Sequence, residues 1–201
     1  MIDGVIKYKI NHTLCDAPEF KEYTSLESLR SRLFALGLIG VQDGIGYGNI
    51  SLRDTTDSFF ITATQTGELA QLSPEFYTYI NSYDFANFSV NSEGKHQPSS
   101  EALSHAMIYE ISSDINAVIH IHSKVLWEFM KKNNSLFTRA KYGTIDMVEE
   151  IASLYEGRDP FDESIFVMRG HEDGVIVFGR TLQEAELTLF EMIEKYLKLA
   201  R

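Results

Sequence analysis

The chain has 201 residues, 44% of them apolar and 23% charged, which suits one soluble globular domain with a sizeable core. Its formal net charge of −11 argues against general binding to nucleic acid or to an anionic membrane surface. Cys15 is the only cysteine, so neither a disulfide framework nor a thiolate metal cluster is expected. Because no stretch reads as a signal peptide or a membrane span, we expect a single cytoplasmic domain over 1–201.

The first predicted element is a helix in the run 24–40. It opens with Thr24-x-x-Glu27, a pattern typical of a capping box, and leucines follow at helical spacing. The glycines of the segment 40–48 predict a turn, and the helix that precedes them argues against a dinucleotide-binding loop. Short runs with strand character follow at 49–53, 58–64, 77–82 and 85–90.

The second half of the chain alternates between helices and strands. After a helix that follows "HQPSS", a strand is predicted at 117–122, and two strands surround a tight connection within 164–179. Helices are predicted from Ser123 to about 132, over 144–156, and from a second capping pattern, Thr181-x-x-Glu184, toward the end of the chain. This order predicts an α/β domain in which helices cover a mixed sheet.

Two histidines lie inside the apolar run "INAVIHIHSK". Alternate side chains of a strand share a face, so His120 and His122 point the same way as Val118. Zinc and similar ions favour imidazole nitrogen, and His171, in the turn between two later strands, supplies a third candidate ligand. By spacing alone, a hydrogen-bonded histidine pair near a sheet edge is as consistent with the sequence as a metal site.

A second group of polar residues lies at a predicted helix start. Ser99, Ser100 and Glu101 are typical of an N-cap and first turn, but such a helix start is also a natural anion site. His105 lies four residues after Glu101 on the same helix face, where we expect it to hold the Glu101 carboxylate or to act as a further metal ligand. The remaining histidines, His12 and His96, are expected to have no chemical role.

Taken together, these segments resemble the class II aldolase/adducin family. The resemblance covers roughly residues 25–200, and its six motifs occur in the family's order. They are "GNISLR" (48–53), "ITATQTG" (61–67), "PSSEALSHAMIY" (98–109), "AVIHIHS" (117–123), "YGT" (142–144) and "GHEDGVIVFGRTLQEA" (170–185).

The resemblance implies a three-layer α/β/α sandwich around a mixed, largely antiparallel sheet. It also implies a homotetramer with active sites at subunit interfaces, acting on a small molecule such as a sugar phosphate. The family's three histidine ligands for Zn2+ or a similar divalent ion match His120, His122 and His171, and its general acid/base matches Glu101. The residues that hold the substrate phosphate match Gly48, Asn49, Thr66, Gly67, Ser99 and Ser100.

The expected chemistry is that of a metal-dependent lyase. A divalent ion on neighbouring carbonyl and hydroxyl oxygens stabilises an enediolate, and a carboxylate moves the proton. An enclosed site should raise the pKa of Glu101. Retro-aldol cleavage is the leading hypothesis, whereas dehydration or epimerisation of a ketose phosphate would use the same groups. The alternatives from other classes are a non-catalytic adducin-like binding module, which would have lost its metal ligands, and a metal-free small-molecule binder.

Three segments depart from the aldolase pattern. Glu172 and Asp173 stand between His171 and the next glycine, where aldolases usually have glycine directly. The turn "TATQTG" offers more than one threonine for a phosphate. The segment 123–141 is shorter than the one that carries a catalytic tyrosine in aldolases, and Tyr142 is the candidate that this sequence offers in its place.

Overall fold

The computed structural model describes residues 8–199. The helices are α1 (Tyr23–Ala35), α2 (Ala102–Ile111), α3 (Lys124–Lys132), α4 (Ile145–Leu154) and α5 (Leu182–Leu199). The strands are β1 (Lys9–Leu14), β2 (Gly40–Gln42), β3 (Ile45–Tyr47), β4 (Asn49–Thr55), β5 (Ser58–Thr62), β6 (Tyr77–Asp84), β7 (Ser89–Gly94), β8 (Ala117–His122), β9 (Phe137–Thr138), β10 (Ile165–Met168) and β11 (Gly174–Gly179).

Nine of these strands form one sheet in the order β1-β7-β6-β5-β4-β8-β11-β10-β9. Only the pairs at its two edges, β1 with β7 and β9 with β10, are parallel. Strand β8 lies inside the sheet, next to its middle strand β4, and pairs antiparallel with β4 on one side and β11 on the other. The predicted mixed, largely antiparallel sheet is confirmed.

Helices cover both faces of this sheet. One buried cluster joins α2 and α4 to the face that includes Val118, and a second joins α1, α3 and α5 to the opposite face. The alternation predicted for β8 follows this division, since Ala117, Ile119 and Ile121 belong to the second cluster. The predicted three-layer α/β/α arrangement is therefore confirmed.

The two predicted capping patterns have different outcomes. Thr181 caps α5, since its Oγ1 accepts the Glu184 backbone N–H at 3.1 Å. The prediction for Thr24 was wrong, because α1 begins at Tyr23 and has no side-chain cap. Glu27 is instead turned inward, where its carboxylate accepts hydrogen bonds from the Leu72 N–H and from the hydroxyl of Tyr77, the first residue of β6. The Glu27 side chain therefore forms tertiary hydrogen bonds and not the capping hydrogen bond that the local pattern predicted.

Other boundaries differ where local patterns are weak. The strand expected at 85–90 lies at Ser89–Gly94, after a turn, and β1, β9 and the β2–β3 hairpin were not predicted. In that hairpin, Asp43 and Gly44 both have positive φ (53° and 79°), as a two-residue hairpin turn requires. Among the helices of residues 8–199, none is long and apolar enough to cross a bilayer.

Candidate metal centre

His120 and His122 lie on the interior strand β8, which pairs with β11 along its whole length and with β4 as far as His120. Asn49 of β4 is paired with His120, and Gly174 of β11 is paired with His122. The His120 side chain is 1% exposed, whereas His122 lies at the end of the strand and is partly exposed. This pairing fixes the two imidazoles on the sheet face covered by α2.

The turn between β10 and β11 brings His171 to the same place. Asp173 takes the left-handed conformation (φ 65°) that this turn needs, and its carbonyl accepts the Ser123 N–H at 2.8 Å. The ring centroid of His171 lies 5.1 Å from that of His120 and 4.6 Å from that of His122. One nitrogen from each of the three rings lies within 4.8 Å of the others.

This donor set fits a divalent metal ion. Three imidazoles with a carboxylate beside them form a typical catalytic zinc environment, in which a further position stays open. The Nε2 atom of His120 is buried and has no hydrogen-bond partner within residues 8–199. A Cβ atom at Gly174 would lie 3.2 Å from that nitrogen, so the glycine leaves room beside the ring. The predicted ligands are thus placed together around a space suited to one ion.

The Glu101 carboxylate lies beside these histidines. Its Oε2 accepts a hydrogen bond from Asn49 Nδ2 at 2.8 Å and contacts His120 Nδ1, while its Oε1 lies 3.6 Å from His171 Nδ1. Burial raises the pKa of Glu101, but the interactions with His120 and His171 outweigh it and hold that pKa well below its ordinary value. The expected rise of the Glu101 pKa was therefore wrong, because the neighbouring imidazoles decide the direction.

The sequence suggested that His105 holds the Glu101 side chain, but the structure shows other partners for it. It is fully buried, and its Nδ1 forms a hydrogen bond with Ser51 Oγ at 2.7 Å, which in turn contacts the Tyr109 hydroxyl at 2.7 Å. Burial lowers the pKa of His105 to about 3, so this imidazole is neutral in the folded protein. The amide of Asn49 takes the supporting position that was expected for His105.

The residues predicted to hold a phosphate line the same pocket as the histidines and Glu101. This group comprises Gly48, Asn49, Thr66, Gly67, Ser99 and Ser100. Gly48 has φ 76°, and a Cβ there would lie 3.1 Å from the His120 carbonyl oxygen, so only glycine allows this close approach. Ser99 is not the N-cap of α2; its hydroxyl accepts the N–H of Glu101 at 3.3 Å, and Glu101 stands at the N-cap position without a capping hydrogen bond from its side chain.

The histidines expected to have no chemical role lie elsewhere. The ring of His12 forms hydrogen bonds with Ser92 Oγ and the Gly94 carbonyl, and the ring of His96 stacks on Phe76 at 4.7 Å. Neither ring lines the pocket.

The family comparison agrees with this geometry. The sequence profile described as "Class II Aldolase and Adducin N-terminal domain" matches residues 35–200. The chain belongs to this family. An L-fuculose phosphate aldolase of Methanocaldococcus jannaschii is 27% identical in an alignment over 163 residues that covers 76% of this chain and 82% of that protein.

Solved structures share the fold at low identity. YgbL of Escherichia coli, described as a putative aldolase/epimerase/decarboxylase, has a TM-score of 0.67 at 19% identity and covers 88% of this chain and 86% of its own. An L-fuculose-1-phosphate aldolase of Thermus thermophilus has a TM-score of 0.63 at 20% identity, covering 89% and 92%. At this level of sequence identity, the two structural similarities show a shared fold only.

In this member of the class II aldolase and adducin family, the pocket also contains Tyr47, which the sequence did not single out, and further residues of the predicted turn "TATQTG". Tyr47 stacks on His122 with ring centroids 5.0 Å apart, and Thr64 and Gln65 line the pocket beside Thr66. Thr66 directs its hydroxyl to the Ala63 carbonyl at 3.0 Å, so Thr64 is the second threonine to consider for an anion. The only feature of the sequence that could have drawn attention to Tyr47 was the group of glycines around it. It predicts a turn, but not which side chain the turn delivers.

Tyr142 also reaches the pocket. Its ring centroid lies 4.3 Å from that of His171, so the segment that precedes it, although short, still delivers a tyrosine to the centre. The structure thus places the predicted histidine ligands, Glu101, the predicted phosphate-binding residues and the candidate Tyr142 in one pocket, and adds Tyr47 as a further aromatic neighbour of the histidines.

Proposed function

We propose that this protein is a divalent-metal-dependent aldolase that cleaves a small sugar phosphate through an enediolate. One observation carries the proposal: three imidazoles, a buried carboxylate and a group of neutral hydroxyl and backbone donors line a single pocket. The membership of the class II aldolase family and the relatives named as L-fuculose phosphate aldolases support it. An adducin-like module without catalysis has less support, because all three candidate ligands are present.

His120, His122 and His171 would hold the ion, for which we propose zinc. When bound, a divalent ion supplies Lewis-acid stabilisation of negative charge on the substrate's carbonyl and hydroxyl oxygens. The remaining work falls to the chain's own side chains.

The Glu101 carboxylate is the proposed proton carrier. Asn49 holds Oε2, whereas Oε1 accepts no hydrogen bond within residues 8–199. Its lowered pKa keeps it ionised, as a base requires. In retro-aldol cleavage it would take the proton of the hydroxyl beside the breaking carbon–carbon bond. The bonding pair then forms the enediolate of one product, the other product leaves as an aldehyde, and a returned proton on carbon completes the ketone.

Tyr142 is the proposed donor of that returning proton. Its ring lies against His171, and it lines the same pocket as Ser99 and Ser100, the proposed phosphate-binding residues. A Tyr142→Phe variant is expected to keep substrate binding and to lose turnover, measured as separate KM and kcat values.

The phosphate would lie among donors that carry no net charge. Ser99 and Ser100 are buried at the start of α2, and Thr66 and Gly67 line the same pocket. Backbone N–H groups and hydroxyls at a helix start bind an anion without a cluster of arginines. This suits a chain whose net charge is −11.

Metal content is the first test. Elemental analysis of the untagged protein should find about one divalent ion per chain, and the H120A/H122A variant should contain none. H12A is the matched control, because His12 lies outside the pocket and should leave the metal content unchanged. A wild type that contains no metal and takes up none on addition would refute the mechanism.

A substrate screen then separates the reactions that share this chemistry. Ketose phosphates, beginning with L-fuculose 1-phosphate, are incubated with the metal-loaded protein while aldehyde release is followed. Aldehyde release that disappears in E101Q supports the aldolase. An unsaturated product or an epimer would favour a dehydratase or an epimerase instead. Size-exclusion chromatography with light scattering tests the further proposal of a homotetramer.

A further inference from the structure

Helix α1 turns a row of polar side chains toward the loop that follows β5. Arg30 is the most unusual of them, because its side chain is fully buried, which is rare for arginine, and the charge of Glu27 lies nearby. Its Nη2 donates to the Thr66 carbonyl at 2.9 Å, and its Nη1 donates to the Leu69 carbonyl. The guanidinium therefore binds the loop backbone and not a surface carboxylate.

The other polar side chains of this row, Tyr23 and Glu27, form hydrogen bonds with Leu72 at the other end of the same loop. Glu27 accepts the Leu72 N–H at 3.0 Å, and the Tyr23 hydroxyl donates to the Leu72 carbonyl at 2.6 Å. Helix α1 thus fixes the loop at Thr66, Leu69 and Leu72 through side chains that do not themselves line the pocket.

The loop needs this support because its conformation is unfavourable by itself. Gln65 has φ 58°, a left-handed conformation that a residue with a Cβ rarely adopts. Its side-chain oxygen accepts the Gly46 N–H at 3.3 Å on one side. The bond from Arg30 to Thr66 holds the next peptide on the other side. Without the guanidinium, the strained turn loses one of these two supports.

The same bond places a positive charge one peptide unit from the anion pocket. Neither lysine nor arginine is among the pocket-lining residues of the described chain. The Thr66 carbonyl and the Gly67 N–H belong to one peptide group, so a cation that binds the carbonyl polarises the N–H and makes it a stronger donor to an anion. Arg30 stays protonated, and it can act on the pocket without entering it.

We propose that Arg30 is a positioning residue that sets and polarises the Thr66–Gly67 turn for a phosphate group. The inference rests on the proposed function, which places the substrate phosphate at this turn. It adds that the affinity of the pocket for a phosphate depends on a side chain behind the loop.

The test compares the full metal-containing protein with R30M, R30K and a matched control, R53M. Arg53 also binds backbone carbonyls, including Ile115 at 2.7 Å and Thr56 at 2.9 Å, but it lies toward the end of β4 that is remote from Asn49. Inorganic phosphate is titrated calorimetrically, and hydrogen–deuterium exchange is followed in the segment 63–73. Metal content is measured in each variant.

We expect R30M to bind phosphate about tenfold more weakly, because one charge-assisted hydrogen bond is lost. We also expect the backbone amides of 63–73 to exchange with deuterium faster in R30M than in the wild type. R30K keeps the charge but lacks the planar fork, so it should fall between wild type and R30M. R53M should keep the wild-type phosphate affinity and the wild-type exchange in 63–73. All variants should contain as much metal as the wild type. R53M also loses hydrogen bonds to backbone carbonyls, so a general loss of stability would change phosphate affinity in R53M as well as in R30M.

Phosphate affinity and loop exchange that stay at wild-type values in R30M would overturn the inference. If R30M does not fold, the same result in R30K overturns it. An equal loss of phosphate affinity in R53M also overturns it, because the effect would then be general. A wild type that contains metal but binds no phosphate, with a loop that still loosens in R30M, overturns the phosphate assignment and the proposed function while retaining the structural role of Arg30.

Discussion

Replacing Glu27 by alanine should destabilise the fold more than most single substitutions do. The carboxylate accepts the Leu72 N–H at 3.0 Å and the Tyr77 hydroxyl at 2.6 Å, both buried. Each buried donor left without an acceptor costs about 1–3 kcal/mol, and the nearby charge of Arg30 loses a compensating anion. Ser31 loses the same carboxylate but keeps the Ala70 carbonyl. We therefore expect the free energy of unfolding to fall by about 4 kcal/mol in E27A.

A double-mutant cycle isolates the origin of this loss. Tyr77→Phe removes a donor and leaves the carboxylate its other partners, so it should cost only about 1 kcal/mol. In the double variant E27A/Y77F no tyrosine hydroxyl remains unpaired, and the combined loss should be smaller than the sum by about 1–2 kcal/mol. Urea unfolding followed by circular dichroism gives each free energy at one pH and one protein concentration. E27Q, which keeps the shape and one acceptor, should lie between wild type and E27A.

A loss below about 1 kcal/mol in E27A, the scale of one ordinary net hydrogen bond, would refute the reasoning. Strict additivity in the cycle would do so as well, because it would mean that Glu27 and Tyr77 stabilise the protein independently.

Three further outcomes are expected. T181A should lose about 1 kcal/mol of unfolding free energy through its missing N-cap, whereas T24A, within α1, should lose less than half of that; urea unfolding of both variants checks the contrast. The pKa of His105 is lowered from 6.5 to about 3, so its contribution to stability is complete above pH 6.5 and is lost as the pH falls toward 3, by up to about 1.4 kcal/mol per pH unit. H105Q should therefore flatten the dependence of the unfolding free energy on pH between 6.5 and 5 in metal-free protein, and an unchanged slope would contradict the buried neutral imidazole. G174A should weaken metal affinity about tenfold by crowding the His120 ring, measured by competition with a chromophoric chelator, while the far-ultraviolet circular dichroism stays unchanged.

Strands and helices were predicted most accurately from the sequence where the local pattern agrees with the tertiary structure. Strand β8 has the predicted bounds because its residues alternate between two buried faces, and Ser123 both ends it and caps α3. Strand β1 was missed because its residues are largely polar at a sheet edge, and its partner, β7, lies about 80 residues away in the chain. Such a pairing has no local signal.

The candidate site shows the same division. Residue type and order were enough to name the histidines and Glu101, and the structure brings them together. The direction of the Glu101 pKa was mistaken, since it depends on distances to His120 and His171 that only the fold defines. Arg30 was not identified because nothing in a run of helical residues shows that one of them is buried against a loop 36 residues later.

The three candidate ligands differ in how firmly the fold holds them. His120 and His122 are part of a strand that pairs with β11 along its whole length and with β4 as far as His120, whereas His171 lies in the five-residue connection 169–173 between two strands. An ion at this centre can then leave or enter by a small rearrangement of that turn, while the sheet remains intact. Metal exchange should consequently proceed under native conditions, much faster than global unfolding, and the metal-free protein should refill without having to refold.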